Sequence, residues 1–507
     1  SRNGSESVFT TTQTESKQEA ISMTQCTKPD SDLQLRFDLG LGKPVVGRFD
    51  GGQISTDGGL VLVRAMDDTL RLSEQIAFCL RDSRQEGKIK HSHLSLIRQR
   101  LNMIDAGYED LNDADTLASD AMHKVAAGRN PVSDPDLASD ATLSRFENER
   151  TEEELTFLQE LLVRIFIQQH PKAPERLPLD IDTTCGEVHG YQQLSFYNGF
   201  YKTYCFTPLF ILAGSFPLAA VLRAGNAAPA EGAVRALRPV IRALQEAWPE
   251  TIIEIRADAG FSTPEFYEFC EEVGIYYYVG LKPNSVVNLK GKVLVERAKR
   301  EYMALYGPVQ DLTSKQAKKL RKEAWRKKEE RIRFSSKSEG RMQEHFEDPA
   351  EARVRIVGDV QYNADKWKRK RRVIARCDFT AEGADIRYIV TNNFAGRPKW
   401  LYEDKYCKRG QCENYIKELK SMAVDRLSCQ EFNANQFRLL MHTFGYIILD
   451  AIRSRLPRNL STIAVETVKL RLVKLGVVVR ETARQVLLSW SSHNPWADQF
   501  QLLALRI

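Results

Sequence analysis

Apolar residues recur at helical spacing through most of residues 33–169, and from Arg176 the period shortens to that of strands. A glycine-rich opening (Gly47, Gly51, Gly52, Gly58, Gly59) predicts a turn or short hairpin ahead of the helices. Residues 139–146 start a helix at a polar N-terminus, as part of a helix-turn-helix or as plain helical scaffold. Residues 177–183, 205–213 and 216–222 are strand candidates, the last two joined by Gly214-Ser215, a pair suited to a type II′ turn. Residues 230–247 place Val234, Leu237, Ile241 and Leu244 on one helical face, and 251–257 is a β-branched strand ending at Asp258. Ser262-Thr263-Pro264-Glu265 has the form of a capping box with proline in the first turn, opening a helix to about 273; 275–281 is another strand. The predicted order is β-β-β-α-β-α-β.

Residues 284–395 break that alternation with a basic helical run at 315–333 and strand-like pieces at 354–362, 372–378 and 386–391. Helices are predicted over 402–422 and 433–455, and a hairpin over 477–490. The chain therefore divides into a disordered arm (1–32), a helical N-terminal domain (33–170) and the first part of an α/β core (171–283). A basic mixed α/β insertion domain (284–395), the second part of the core (396–430) and a C-terminal region (431–507) follow. A length of 507 residues suits several domains.

A hydrophobic share of 42% and a charged share of 28% exclude a collagenous, mucin-like or largely disordered chain. The nine cysteines are scattered and never spaced C-x-x-C, which points to neither a disulfide framework nor a zinc site and predicts a reducing, cytoplasmic compartment. The most apolar stretch, 206–222, is interrupted by Thr207, Pro208, Gly214, Ser215 and Pro217, so no membrane span is expected. The net charge of +6 merely permits a nucleic-acid partner, but its distribution says more. Residues 284–395 hold 27 Lys+Arg against 16 Asp+Glu, a net of +11, leaving −5 for the remainder. Ten of those bases fall in 315–333, and a second cluster is Trp367-Lys368-Arg369-Lys370-Arg371-Arg372. Salt-dependent phosphate contact is the functional use of such runs, a solvated basic surface the plain one. Residues 1–150, with 18 bases and 24 acids, carry the opposite sign.

On the helix after the insert, Tyr406, Arg409, Glu413 and Lys420 are 3, 4 and 7 residues apart and project within roughly 60° of one another at about 100° per residue. An isolated stripe of this kind is often a solvated face with an i,i+4 pair, here Arg409 and Glu413. Asp258, however, ends a strand expected to be central, where open sheets place ligands. Asp180 and Asp182 share one face of the first strand. Singly, each aspartate could cap a turn or face solvent. Together with Glu413 they gather carboxylates whose mutual repulsion expects divalent cations with oxygen ligands. His91, His93 and His189 lack zinc spacing and are assigned structural roles.

Tyr406-(2)-Arg409-(3)-Glu413-(6)-Lys420 matches the Y-(2)-R-(3)-E-(6)-K signature of bacterial insertion-sequence DDE transposases. Asp180-Ile181-Asp182-Thr183-Thr184, His189-Gly190, Arg256-Ala257-Asp258-Ala259-Gly260-Phe261 and Asp425-Arg426-Leu427-Ser428 most resemble the thirteen-eighty family of insertion sequences. The resemblance covers residue 33 to the C-terminus. It implies an RNase H-like catalytic core interrupted by the insertion domain, with helical N- and C-terminal regions. Asp182, Asp258 and Glu413 would bind two Mg²⁺, with Mn²⁺ as a substitute; Asp182 is preferred to Asp180 because the family-like Asp-Thr-Thr begins there. Tyr406, Arg409 and Lys420 would hold DNA near the scissile phosphate, with Lys417 beside them and Arg369 and Arg371 contributing from the insert. The implied activity is cut-and-paste transposition: hydrolysis at transposon ends, then 3′-hydroxyl strand transfer, by a homodimer holding two terminal inverted repeats and target DNA. The implied setting is the bacterial cytoplasm and nucleoid. Rival readings are an RNase H-like nuclease without transposition and an inactive DNA-binding regulator derived from a transposase.

Overall fold

The strand-forming runs beyond residue 175 hydrogen-bond into one eight-stranded sheet in the computed structural model, which describes residues 34–308, 326 and 352–507. The strands are β1 (Arg176–Thr183), β2 (Leu209–Ala213), β3 (Phe216–Val221), β4 (Ile252–Ala257), β5 (Tyr276–Leu281), β6 (Val354–Val360), β7 (Arg372–Thr380) and β8 (Gly383–Thr391). Their order across the sheet is β6-β7-β8-β5-β4-β1-β2-β3. β4 runs parallel to both β1 and β5, and the other pairs are antiparallel. The expected β-β-β-α-β-α-β order is present, with two refinements. Thr207-Pro208 splits the second predicted strand, leaving Thr203–Phe206 to a separate small sheet. The pieces assigned to the insertion domain lengthen the main sheet, because β5 offers β8 an edge of unpaired amides and carbonyls. The 315–333 run, Arg326 apart, lies outside the described residues, as does the 1–32 arm.

The β2–β3 turn uses Gly214 in the left-handed region (φ 62°), as a type II′ turn requires at its first central position. β3 is an edge strand, which is why Pro217 is tolerated there. Two glutamines cover its open backbone as a ninth strand would. Gln159 accepts from the Ala220 amide at 3.2 Å; Gln436 accepts from the Leu222 amide at 2.6 Å and donates to the Ala220 carbonyl at 3.0 Å.

Among the helices of the described residues are α1 (His93–Asp105), α2 (Asp140–Asn148), α3 (Glu152–Gln169), α4 (Ala233–Ala247), α5 (Pro264–Glu272), α6 (Ser285–Tyr306), α7 (Gly410–Ser421) and α8 (Phe432–Ser454). α4 and α5 are the crossovers into β4 and β5; Thr263 caps α5 by accepting from the Phe266 amide, with Pro264 in the first turn. α3 opens with a full capping box, Thr151 with Glu154. α6 packs over β6 and β7 through Ala298, Tyr302, Ile356, Cys377 and Phe379.

Among these elements the N-terminal helices and α8 share one core. Two compact units are present, residues 1–52 and 53–507. In the first unit Leu35–Phe37 pairs with Val45–Gly47 as a hairpin. In the second, Ile54–Ser55 pairs with Val477–Glu481, which forms the predicted C-terminal hairpin with Val486–Trp490. No helix among the described residues is long and apolar enough to cross a membrane.

Candidate active site

Alternation along β1 and β4 places Pro178, Asp180 and Asp182 beside Glu254 and Arg256 on one face of the sheet, in the register Asp180 opposite Arg256. Residues 401–421 cross this face. The predicted helix over 402–422 is present as one continuous helical path, but its winding changes on the way. Leu401–Tyr406 is a π-helical turn, Cys407–Arg409 a 3₁₀ turn, and the α-helix proper begins at Gly410. Such changes of winding are rare and concentrate at functional sites.

Each acid on the covered face meets a base. Glu254, 2% exposed, takes Arg176 at 2.9 Å and Lys405 at 2.8 Å. Asp180 receives both prongs of Arg256, at 2.8 and 2.6 Å. Asp182 accepts from Arg409 Nη1 at 2.9 Å, and Arg409 Nη2 lies 3.7 Å from Glu413. The expected Arg409–Glu413 pair is therefore the longer of two, and Arg409 joins the strand to the helix. Asp258 accepts from the Gly260 amide at 2.8 Å in a tight turn and has no ion-pair partner among the described residues. Burial pushes the Asp182 carboxyl above its ordinary value; Arg409 opposes that rise and the Asp258 charge adds to it. The Arg409 guanidinium likewise feels both aspartates. Arg409 thus bridges two carboxylates, Asp182 and Glu413, and feels the charge of a third, Asp258.

Tyr406 lies beside the same group. A Cβ on Gly280 would come within 2.9 Å of both its hydroxyl oxygen and the Ala259 amide, so the bare glycine lets β5, the Asp258 turn and the ring close together. Burial pushes the Tyr406 hydroxyl upward, against the nearby Arg409 charge. Lys420 donates to the Cys185 carbonyl at 2.8 Å and lies 3.3 Å from Asp425, tying the helix to the chain just past Asp182. Lys417 is exposed one turn before it.

The second basic cluster is divided by the fold. Arg371 is 2% exposed and clamped in a fork on Glu271 at 2.7 and 2.9 Å, with its guanidinium over Tyr267 and Trp367. This is an internal strut, and a phosphate could reach it only by breaking the clamp. Arg372 pairs with Asp359 and Lys368 with Glu268, whereas Arg369 is exposed.

The choice between the first-strand aspartates has a physical test. Asp180→Asn removes a buried charge-assisted fork and should lower unfolding stability by about 2 kcal/mol in denaturant melts. Asp182→Asn should do most of its damage to function. If Asp180→Asn leaves stability unchanged and abolishes activity, the assignment reverses.

The donor chemistry suits a hard divalent cation: carboxylate oxygens only, in local excess of negative charge. As the side chains stand, no three His, Cys, Asp or Glu residues among the described ones are arranged to hold a metal ion. Arg409 lies between Asp182 and Glu413. Sequence reasoning missed the Lys405–Glu254 and Arg256–Asp180 pairs, whose partners are distant in the chain.

A solved structure, the cryo-EM structure of a piggyBac transposase synaptic complex with hairpin DNA, aligns with 82% of this chain and 80% of its own at 10% identity and a TM-score of 0.37. No curated protein is significantly similar in sequence. The family model of the transposase DDE domain, group 1, matches residues 37–507, nearly the whole chain. This chain belongs to the DDE transposase family.

Proposed function

We propose that this protein is a cut-and-paste DNA transposase whose reacting centre is Asp182, Asp258 and Glu413. The observation that supports the reading is the Arg409 bridge from Asp182, at the end of β1, to Glu413 on the crossing helix, with Asp258 ending the adjacent parallel strand β4 and its charge felt by Arg409. An antiparallel β1-β2-β3 meander beside parallel β1, β4 and β5 supports an RNase H-like core. The three carboxylates would hold two Mg²⁺, which when bound supply charge stabilisation to the attacking and leaving oxygens of a phosphodiester. Arg409 offers a planar fork and Lys420 and Lys417 point charges to DNA phosphates; Tyr406 can stack on the strand or donate a hydrogen bond to it, and Arg369 adds an exposed contact. In the first step a water oxygen attacks the phosphorus at the transposon end and the 3′ oxygen leaves as a hydroxyl. In the second that 3′-hydroxyl oxygen attacks a target phosphorus, and the target strand's own 3′ oxygen leaves as a hydroxyl. Two ends must be held together, which favours a homodimer with one centre per end.

The test incubates the protein and Mg²⁺ with a labelled fragment bearing the inverted repeat that flanks its coding region, beside Glu413→Gln. The expected result is nicking and strand transfer confined to the end, and their loss in the variant. Cleavage indifferent to the terminal sequence would instead mean a nuclease. No cleavage with intact binding would mean a regulator, and equal cleavage by the variant would sink the site.

A further inference from the structure

Between Asp182 and the next core strand the chain makes a small three-stranded sheet, Gly186–Glu187, Phe196–Asn198 and Thr203–Phe206, that the assigned site does not use. Its composition is unusual: residues 186–206 contain seven aromatic rings, with one acid (Glu187) and one lysine (Lys202). Rings in such number ordinarily build a core, yet only Phe206 is buried. Tyr197 and Tyr204 are directly opposed across the strands and meet edge-to-face at 5.6 Å, and both are exposed. At the tip Phe200 is 86% exposed and contacts Tyr201.

The rings are held stiffly. Asn198 Oδ1 accepts from the amides of Phe200 and Tyr201, and its Nδ2 donates to the Gly225 carbonyl at 2.7 Å. A Cβ at Gly225 would lie 2.0 Å from the Cys205 carbonyl oxygen, so the hairpin backbone is pressed onto that glycine. Leu194 and Lys202 adopt left-handed backbone (φ 63° and 58°), two of four such non-glycine residues among those described. Strain of this kind persists where surrounding structure fixes it and gathers at functional sites.

The hairpin also adjoins Asp182. Its first strand begins four residues after it, Lys420 bonds the intervening Cys185 carbonyl at 2.8 Å, and the Tyr201 hydroxyl, pushed upward by burial, feels the Asp182 charge. We infer that this aromatic hairpin is a stacking platform for unpaired DNA bases next to the phosphate held at Asp182, Asp258 and Glu413. The inference rests on the transposase reading for the position of that phosphate. On this reading lysine and arginine on the helix would meet the backbone of the strand, and the nearly uncharged rings of the hairpin would offer flat faces to its bases without repelling the polyanion. Rigid presentation lowers the ordering cost of binding.

The test compares two probes built on the same inverted-repeat duplex, one fully paired and one with three unpaired thymidines beyond the end, using Phe200→Ala/Tyr204→Ala and the conservative Phe200→Tyr/Tyr204→Phe. Both side chains are exposed, so neither pair disturbs the core. Wild type should prefer the unpaired-end probe. The alanine pair should lose about 10-fold or more on that probe and little on the paired one, the size of one base–aromatic stack, and the conservative pair should retain the preference. Equal losses on both probes, or none, overturn the platform. A shift from dimer to monomer in sedimentation, with the probe preference intact, overturns it in favour of a contact between two copies of this chain. If wild type fails to cut ends while the alanine pair loses the preference, the transposase reading falls and the platform stands; end cutting with an unchanged preference gives the converse.

Discussion

Asp258→Asn is expected to reduce end-specific cleavage by about 10³-fold while leaving the melting temperature nearly unchanged. The activity loss follows from removing a charge that stabilises the reacting oxygens, worth several kcal/mol in such centres, with each 1.4 kcal/mol equal to tenfold in rate. The small structural effect follows from the local contacts. Asp258 accepts from the Gly260 amide, which the amide oxygen of asparagine can still do, and it has no ion-pair partner among the described residues to strand. Asp182 is a less clean probe because its loss also frees Arg409. Single-turnover cleavage and thermal melts on the same preparation check the prediction. A fall in melting temperature that matched the loss of activity would make Asp258 a structural residue.

Glu147→Gln is expected to destabilise the protein by about 3 to 5 kcal/mol, the usual cost of leaving buried charge unpaired. Glu147 is fully buried on α2, where it accepts from Arg100 on α1 at 2.8 Å and from Arg438 on α8 at 2.5 Å. Arg100 is fully buried as well, and its remaining donors reach the Tyr108 and Glu109 carbonyls. One carboxylate therefore pairs with two arginines from helices almost 340 positions apart. Glutamine keeps the size and removes the charge, leaving both guanidiniums in a low-dielectric core with only Asp110, 3.4 Å from Arg438, nearby. Denaturant unfolding measures the loss. A cost below about 1 kcal/mol would mean that water enters the cluster or that the helices repack.

Much of the core was legible because strands and helices carry their own periods. The run of β-branched residues at 252–257, the Thr263-Pro264 start of α5 and the Gly214 turn are local signals, and each element formed within a residue or two of its predicted bounds. Sheet membership was not legible in the same way. Nothing local to 383–391 says that β8 pairs with β5 about a hundred positions earlier, because that pairing is set between elements and not within one. The six-residue cluster Trp367 to Arg372 was equally opaque: Arg369 and Arg371 look alike in the chain, but only the placement of Glu271 under the second turns it into a buried strut.

The sequence by itself determined the candidate chemistry: the tyrosine, arginine, glutamate and lysine stripe, the two strand-end aspartates and the charge contrast between 284–395 and the rest. These depend on residue identity and spacing within single elements. Tertiary structure alone decided which groups neutralise which. Asp180 and Asp182 share a face of one strand, yet Arg256 in the adjacent strand takes the first, and Arg409, brought over the sheet by the helix, takes the second. Pairing depends on distances between elements far apart in the chain, and only packing sets those distances.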